Sequence, residues 1–170
     1  MTTLSKYKNE QLKLVQPSIW KRVYHLQAGD EVLMTMRYQK WYSSEPTVEG
    51  FTEMWEFSKP SFWRSALEIK KQHNQLPFAK YEPEGWKGSG VFGLPNGEKL
   101  EYRFDFWKNA NELYSQQKIR LASFKRESIF KGAINVTLEH ESSLLEKNPW
   151  IIMAVYHFIL ERRQRANGAG

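Results

Sequence analysis

The sequence predicts an all-β fold, an antiparallel sheet curled with its dry face inward around one C-terminal helix. Three observations carry this expectation. The run Trp150 to Leu160 reads WIIMAVYHFIL, with His157 its one clearly polar member. As a helix it is apolar on every side and needs burial all round. Upstream, short apolar-polar alternations separated by turn residues recur roughly nine to eleven times, the spacing of an antiparallel sandwich or barrel. No second amphipathic helix is available as a partner, which argues against a helical bundle. A membrane is not the answer either, because a run of 11 residues falls well short of the ~18–20 needed to span one.

In chain order, Leu12, Leu14 and Val15 open the pattern and Pro17 closes it. Ile19 to Leu26 reads as a strand, Gln27-Ala28-Gly29-Asp30 as a turn, and Glu31 to Tyr38 as the returning strand with Val32, Met34, Met36 and Tyr38 on one face. Lys40 to Gly50 is loop-like. Phe51 to Phe57 is a strand with Phe51, Trp55 and Phe57 on one face, ended by Lys59-Pro60. Ser61 to Lys71 suits a strand or a helix capped by Ser61, and the alternation of Trp63, Ser65, Leu67 and Ile69 favours the strand. Gln72 to Pro83 is turn-rich apart from a short strand at Phe78 to Tyr81. Val91 to Leu94 and Leu100 to Trp107 flank Pro95-Asn96-Gly97, a strong hairpin signal. Leu100, Tyr102, Phe104 and Phe106 share the dry face of the second arm. Asn109-Ala110-Asn111 is a turn, and Leu113 to Phe124 and Ile129 to Leu138 repeat the alternation. For the helix, Asn148 is the expected N-cap and Pro149 the first position. Arg162, Arg163 and Arg165 suit its C-terminal dipole, and Glu161 pairs with Arg165 at i,i+4.

At 170 residues the chain fits one domain, expected over 12–166, with 1–11 flexible and 167–170 a short tail. Its 7 Trp, 8 Tyr and 10 Phe are too many for a disordered chain and favour pleated surfaces. The absence of cysteine excludes disulfides, thiolate metal sites and cysteine nucleophiles. The net charge of +6 suits nucleic acid, an anionic membrane surface or an acidic partner. The first residues contain no apolar h-region, so no secretory signal is expected and the expected location is the cytoplasm, up to the membrane periphery.

No cofactor, metal or catalytic group is expected from the motifs. Gly88-Ser89-Gly90-Val91-Phe92-Gly93 matches the dinucleotide pattern G-x-G-x-x-G, but a hairpin follows where phosphate chemistry needs a helix, so its glycines read as bulge or close-packing positions. His25, His73, His140 and His157 have no metal-ligand spacing, and His157 reads as a core or helix-end histidine that needs a hydrogen-bond partner. Glu53 and Glu56 are not singled out as a hydrolytic pair. The basic residues Lys118, Arg120, Lys125, Arg126 and Lys131, on two successive expected strands, form the candidate patch for phosphates or anionic lipid headgroups. Edge protection by surface charge explains the same residues.

The Gly29-Asp30 hairpin, Trp55-Glu56-Phe57, Gly85-Trp86 with Gly88 and Gly90, the Asn96-Gly97 hairpin, and Asn148-Pro149 before a wholly apolar terminal helix together resemble the tubby C-terminal-like superfamily. That group includes tubby domains, phospholipid scramblases and LURP-one-related proteins. The resemblance covers roughly Pro17 to Arg163 and implies a closed antiparallel barrel of about twelve strands threaded by the helix. The cysteine run and Asp-rich calcium loop of scramblases have no counterpart here, so calcium control is not expected. The expected function is non-enzymatic binding of an anionic lipid headgroup or a protein partner through the outer surface. The alternatives are a calycin-like barrel with an internal pocket, as a carrier or enzyme, and a single-stranded nucleic-acid binder.

Overall fold

The computed structural model describes residues 3–60, 65–85, 87–127 and 132–168. Twelve strands form one closed antiparallel barrel, each pairing with its neighbours in sequence and β1 closing onto β12. They are β1 (Leu12–Val15), β2 (Val23–Ala28), β3 (Glu31–Arg37), β4 (Thr47–Gly50), β5 (Glu53–Ser58) and β6 (Leu67–Lys71). The second half is β7 (Ala79–Pro83), β8 (Gly90–Gly93), β9 (Lys99–Asp105), β10 (Ala110–Tyr114), β11 (Arg120–Arg126) and β12 (Ile134–Leu138). A short helix α1 (Ser143–Lys147) leads into the long α2 (Trp150–Gly168).

A barrel of about eight strands can be filled by its own side chains, whereas twelve leave a wider lumen. Here α2 fills it. All ten residues from Trp150 to Ile159 are buried. Tyr156 meets Tyr24 of β2, Trp150 meets Phe57 of β5 and Phe92 of β8, and Phe158 meets Tyr81 of β7 and Tyr102 of β9. Each large apolar side chain taken from water contributes about 1.5–3 kcal/mol. The helix and the inward faces of the strands are therefore one core, and no lumen remains for an internal pocket of the calycin kind.

The differences from the sequence reading have local causes. β2 begins at Val23, and the preceding residues Ile19 and Trp20 lie in an exposed turn. A bulge at Leu33 lets Leu26 pair with Met34 but Gln27 with Val32, so Val32 faces out while Met34 and Met36 face in. The expected loop Lys40 to Gly50 contains β4, a four-residue strand too short to show an alternation. Phe51 and Thr52 are a turn, both with positive φ, and not part of β5. The expected turn at Asn109 to Asn111 lies slightly earlier, and Ala110 and Asn111 already belong to β10. The expected strand from Leu113 to Phe124 is two strands, with Lys118 at φ +65° in the hairpin between them. Of Ser61 to Lys71 the described part contains β6 at its end, and of Ile129 to Leu138 it contains β12; Trp63, Ile129 and Trp86 lie outside the described residues.

The N-terminal segment expected to fray packs instead as a 3-10 turn, Leu4–Tyr7. Leu4 and Tyr7 are buried, the Leu4 amide donates to Glu146 Oε2 at 3.1 Å and the Tyr7 hydroxyl to Glu31 Oε1 at 3.0 Å. Its partner is α1, which the sequence reading did not include; Ser142 caps it by accepting from the Leu145 amide. Asn148 ends α1, its Nδ2 donating to the Leu144 carbonyl and its Oδ1 accepting from Trp150 Nε1, while its own carbonyl accepts from the Ile151 amide. It joins two helices where a simple N-cap was expected.

Candidate functional site

Strand direction divides the barrel into two unlike ends. β12 delivers the chain to one end, where α1 and the Leu4–Tyr7 turn sit, and α2 runs back through the lumen to leave at the other. The connections β1–β2, β3–β4, β5–β6, β7–β8, β9–β10 and β11–β12 all belong to this helix-exit rim. Ile19 and Trp20, Trp41 and Tyr42, and Phe106 and Trp107 occupy three of these connections and are 65–92% exposed. Among the described residues the only other exposed large apolar side chains are Val32, Leu76 and Ile119, so every exposed aromatic lies on one rim.

The rim loops are held in place. Arg22 Nη1 donates to the carbonyls of Lys40, Trp41 and Ser43, each at 2.8 Å, and its guanidinium lies 4.2 Å from the centre of the Tyr38 ring. One charged donor thereby ties the β1–β2 and β3–β4 connections together. Asp105 Oδ1 accepts from the Lys108 amide at 3.0 Å and shapes the turn that presents Phe106 and Trp107. Exposed Lys21, Lys40, Lys87, Lys108 and Arg165 share the rim with Glu45, Glu84 and Glu127. The connections of the opposite end bring Asp30, Glu98, Glu139 and Glu141, with Lys118 among them.

Beneath the rim, Glu161 is the hub of a polar cluster. Its side chain is 11% exposed and lies 2.5 Å from Lys59 Nζ, 3.1 Å from His157 Nε2 and 3.2 Å from Arg165 Nη2. His157 and Lys59 both approach Glu161 Oε1, as close contacts poorly aligned for a hydrogen bond. On its other side His157 Nδ1 shares a 2.6 Å hydrogen bond with the Tyr38 hydroxyl. Burial alone would raise the Glu161 carboxyl, but the close His157 and Lys59 side chains outweigh it and hold the group down at about 2. Burial pushes the Tyr38 phenol well up, reinforced by Glu161. His157 is thus the partnered core histidine that the sequence reading expects.

Next to this cluster an open cleft of about 1930 Å³ separates the exit of α2 from the β6–β10 wall. Its walls include Tyr81, Phe104 and Phe158, with Phe106 and Trp107 at the lip. Arg162 stands in it, one helical turn beyond Phe158. Its guanidinium lies 3.8 Å from the Phe104 ring centre, and Nη2 donates to the Tyr102 hydroxyl at 2.9 Å and to Asn111 Oδ1. Arg163, whose charged form burial disfavours, donates to the Gly132 carbonyl at 3.1 Å.

The structure does not gather the basic residues singled out in the sequence. Lys118 lies in a hairpin and contacts Glu101 at 2.9 Å. Arg120, at the start of β11, is held between Glu112 at 2.7 Å and Glu139 at 2.5 Å. Lys125 and Arg126 are at the opposite end of the same strand, next to the helix-exit rim, and Lys131 lies outside the described residues. Carboxylates on neighbouring strands answer the first pair, a cross-strand effect that strand sequence alone does not display. The rim aromatics were missed for a different reason, although a signal existed. Ile19-Trp20, Trp41-Tyr42 and Phe106-Trp107 are adjacent apolar pairs, and a one-sided strand buries only alternate residues.

Gly90 belongs to β8, and a Cβ there would run into the Glu82 carbonyl and the Tyr81 ring, so this glycine of the G-x-G-x-x-G run serves close strand packing. No group of three or more His, Asp or Glu suited to a metal occurs among the described residues. No helix among them is long and apolar enough to cross a membrane. Searches against protein-family models, curated proteins and solved structures find no match to this chain.

Proposed function

We propose that this is a non-enzymatic, tubby-like barrel that docks end-on, through its helix-exit rim, onto an anionic membrane surface. The single observation that carries the proposal is the confinement of all exposed aromatics among the described residues to the rim that also presents Lys21, Lys40, Lys108 and Arg165. Trp and Tyr favour the headgroup level of a bilayer, where an apolar ring and a polar edge are both satisfied. Each cation near an anionic surface adds about 1 kcal/mol. The loops are already held by Arg22 and, at Phe106 and Trp107, by Asp105, so docking orders little new chain. The twelve-stranded barrel around a terminal helix is the architecture that the resemblance implies.

The test is co-sedimentation with vesicles of phosphatidylcholine alone and of phosphatidylcholine with about a third phosphatidylserine. Binding is expected to the anionic vesicles, with a blue shift in tryptophan emission, and to weaken steeply with salt. The triple substitution Trp20→Ser, Trp41→Ser, Trp107→Ser is expected to reduce it at least about tenfold, since each ring contributes independently to partition. Equal binding to both vesicle types, or to neither, would remove the proposal.

A further inference from the structure

We infer that the cleft at the helix exit is a binding site for an amphipathic carboxylate, with Arg162 as its anion anchor and the aromatic walls as the seat of its apolar body. The inference is independent of membrane docking, because a soluble ligand occupies the cleft as well as a bilayer component does.

The starting point is an imbalance of charge. Every Asp and Glu of the chain is among the described residues. Several neighbouring cations have a carboxylate: Lys59 and Arg165 have Glu161, Arg103 has Glu101 at 2.8 Å, and Arg120 has Glu112 and Glu139. Among the described residues Arg162 has none within ion-pair distance; its partners there are the neutral oxygens of Tyr102 and Asn111 and the face of Phe104. A half-buried guanidinium whose direct contacts are all neutral has lost water without gaining a paired counter-charge. Two hydrogen bonds and a stacked ring also fix its plane, so the donors left over are already oriented for a two-oxygen anion.

The surroundings narrow the ligand. Tyr81, Phe104 and Phe158 line the cleft, and its about 1930 Å³ exceeds the roughly 300–1,000 Å³ of a drug-sized pocket, which leaves room for a chain or ring system. Phe106 and Trp107 extend the apolar surface to the lip. Glu68, Glu82, Glu101, Asp105, Glu112 and Glu161 also line it. Lys80, Lys87, Arg103 and Arg165 line it beside Arg162, so the six acidic groups face five basic ones; a single anionic charge at Arg162 is accommodated there, and a multiply charged polyphosphate is disfavoured. A planar carboxylate on an alkyl or aryl body satisfies both conditions.

The experiment is calorimetric titration of the full chain with octanoate, with octanol and acetate as the two halves of the ligand and octyl phosphate as the alternative anion. Octanoate is expected to bind at least tenfold more tightly than either half and more tightly than octyl phosphate. Arg162→Gln is expected to weaken octanoate at least tenfold while leaving octanol unchanged. Because Arg162 also ties Tyr102 and Asn111, circular dichroism is read alongside. The exposed pair Phe106→Ser, Trp107→Ser, which cannot disturb the core, is expected to weaken octanoate several-fold. The inference is overturned if octanoate does not bind, if octanol binds equally well, if Arg162→Gln folds and binds normally, or if the lip variant binds normally. Tighter binding of octyl phosphate would overturn the carboxylate assignment.

Discussion

Replacing Glu161 by Gln keeps the side-chain shape and removes the charge at the hub of the rim cluster. Its carboxyl is held at about 2, below its ordinary value of 4.5, by His157 and Lys59 against the opposing effect of burial. The lowered value means that folding favours the ionised form. The stabilisation is fully present above pH 4.5 and is lost as the pH falls from 4.5 towards 2. Converted at about 1.4 kcal/mol per pH unit, it amounts to about 3 kcal/mol, and the side chain is buried enough to need little discount for solvent. For a chain of this size that corresponds to a fall in Tm of about 6–12 °C at pH 7. Glu101, also held at about 2, titrates in the same window through its hydrogen bonds with Arg103 and Lys118. The informative quantity is therefore the difference between wild type and variant. Urea denaturation at pH 7, 4 and 3 should show a gap that closes as the pH drops. A gap below about 1 kcal/mol at pH 7, or one that does not change with pH, would refute the assignment of Glu161 as the hub.

Other consequences are as direct. Gly90→Ala places a Cβ against the Glu82 carbonyl and the Tyr81 ring, and backbone yields poorly; a loss of about 2–4 kcal/mol in urea denaturation is expected. Tyr38→Phe leaves His157 Nδ1 buried without its partner and should cost about 1–3 kcal/mol in the same assay. Amides of Ile152 to Phe158, enclosed by the whole barrel, should exchange only on global unfolding; faster exchange there than in β9 or β10 would show that the helix leaves the lumen. Substituting Lys118 and Arg120 by Ala should leave binding to anionic vesicles within about twofold, because both are already matched by carboxylates at the end away from the rim.

Much of the framework is legible along the chain because its signals are local. Leu100, Tyr102 and their polar neighbours declare a one-sided strand, and Asn96-Gly97 declares the turn before it. Where local signals weaken, the reading slips. β4 is too short to alternate, α1 rests on a capping serine and one buried leucine, and the hairpin at Lys118 lacks the glycine that a positive φ usually recruits.

By itself the sequence determined that Trp150 to Leu160 must be surrounded and that only a curled sheet was available to surround it. Burial is a property of the residues themselves, and the water-excluding requirement of an apolar helix does not depend on knowing its partners. What only the tertiary structure decided is which charges meet. Glu161 finds Lys59 and Arg162 finds Asn111 across about 100 and 50 residues, and Trp20, Trp41 and Trp107 come to one rim because consecutive hairpins reverse direction. Closure of β1 onto β12 fixes these distances at once. Electrostatic contacts depend on separation in space, and no pattern along the chain encodes it.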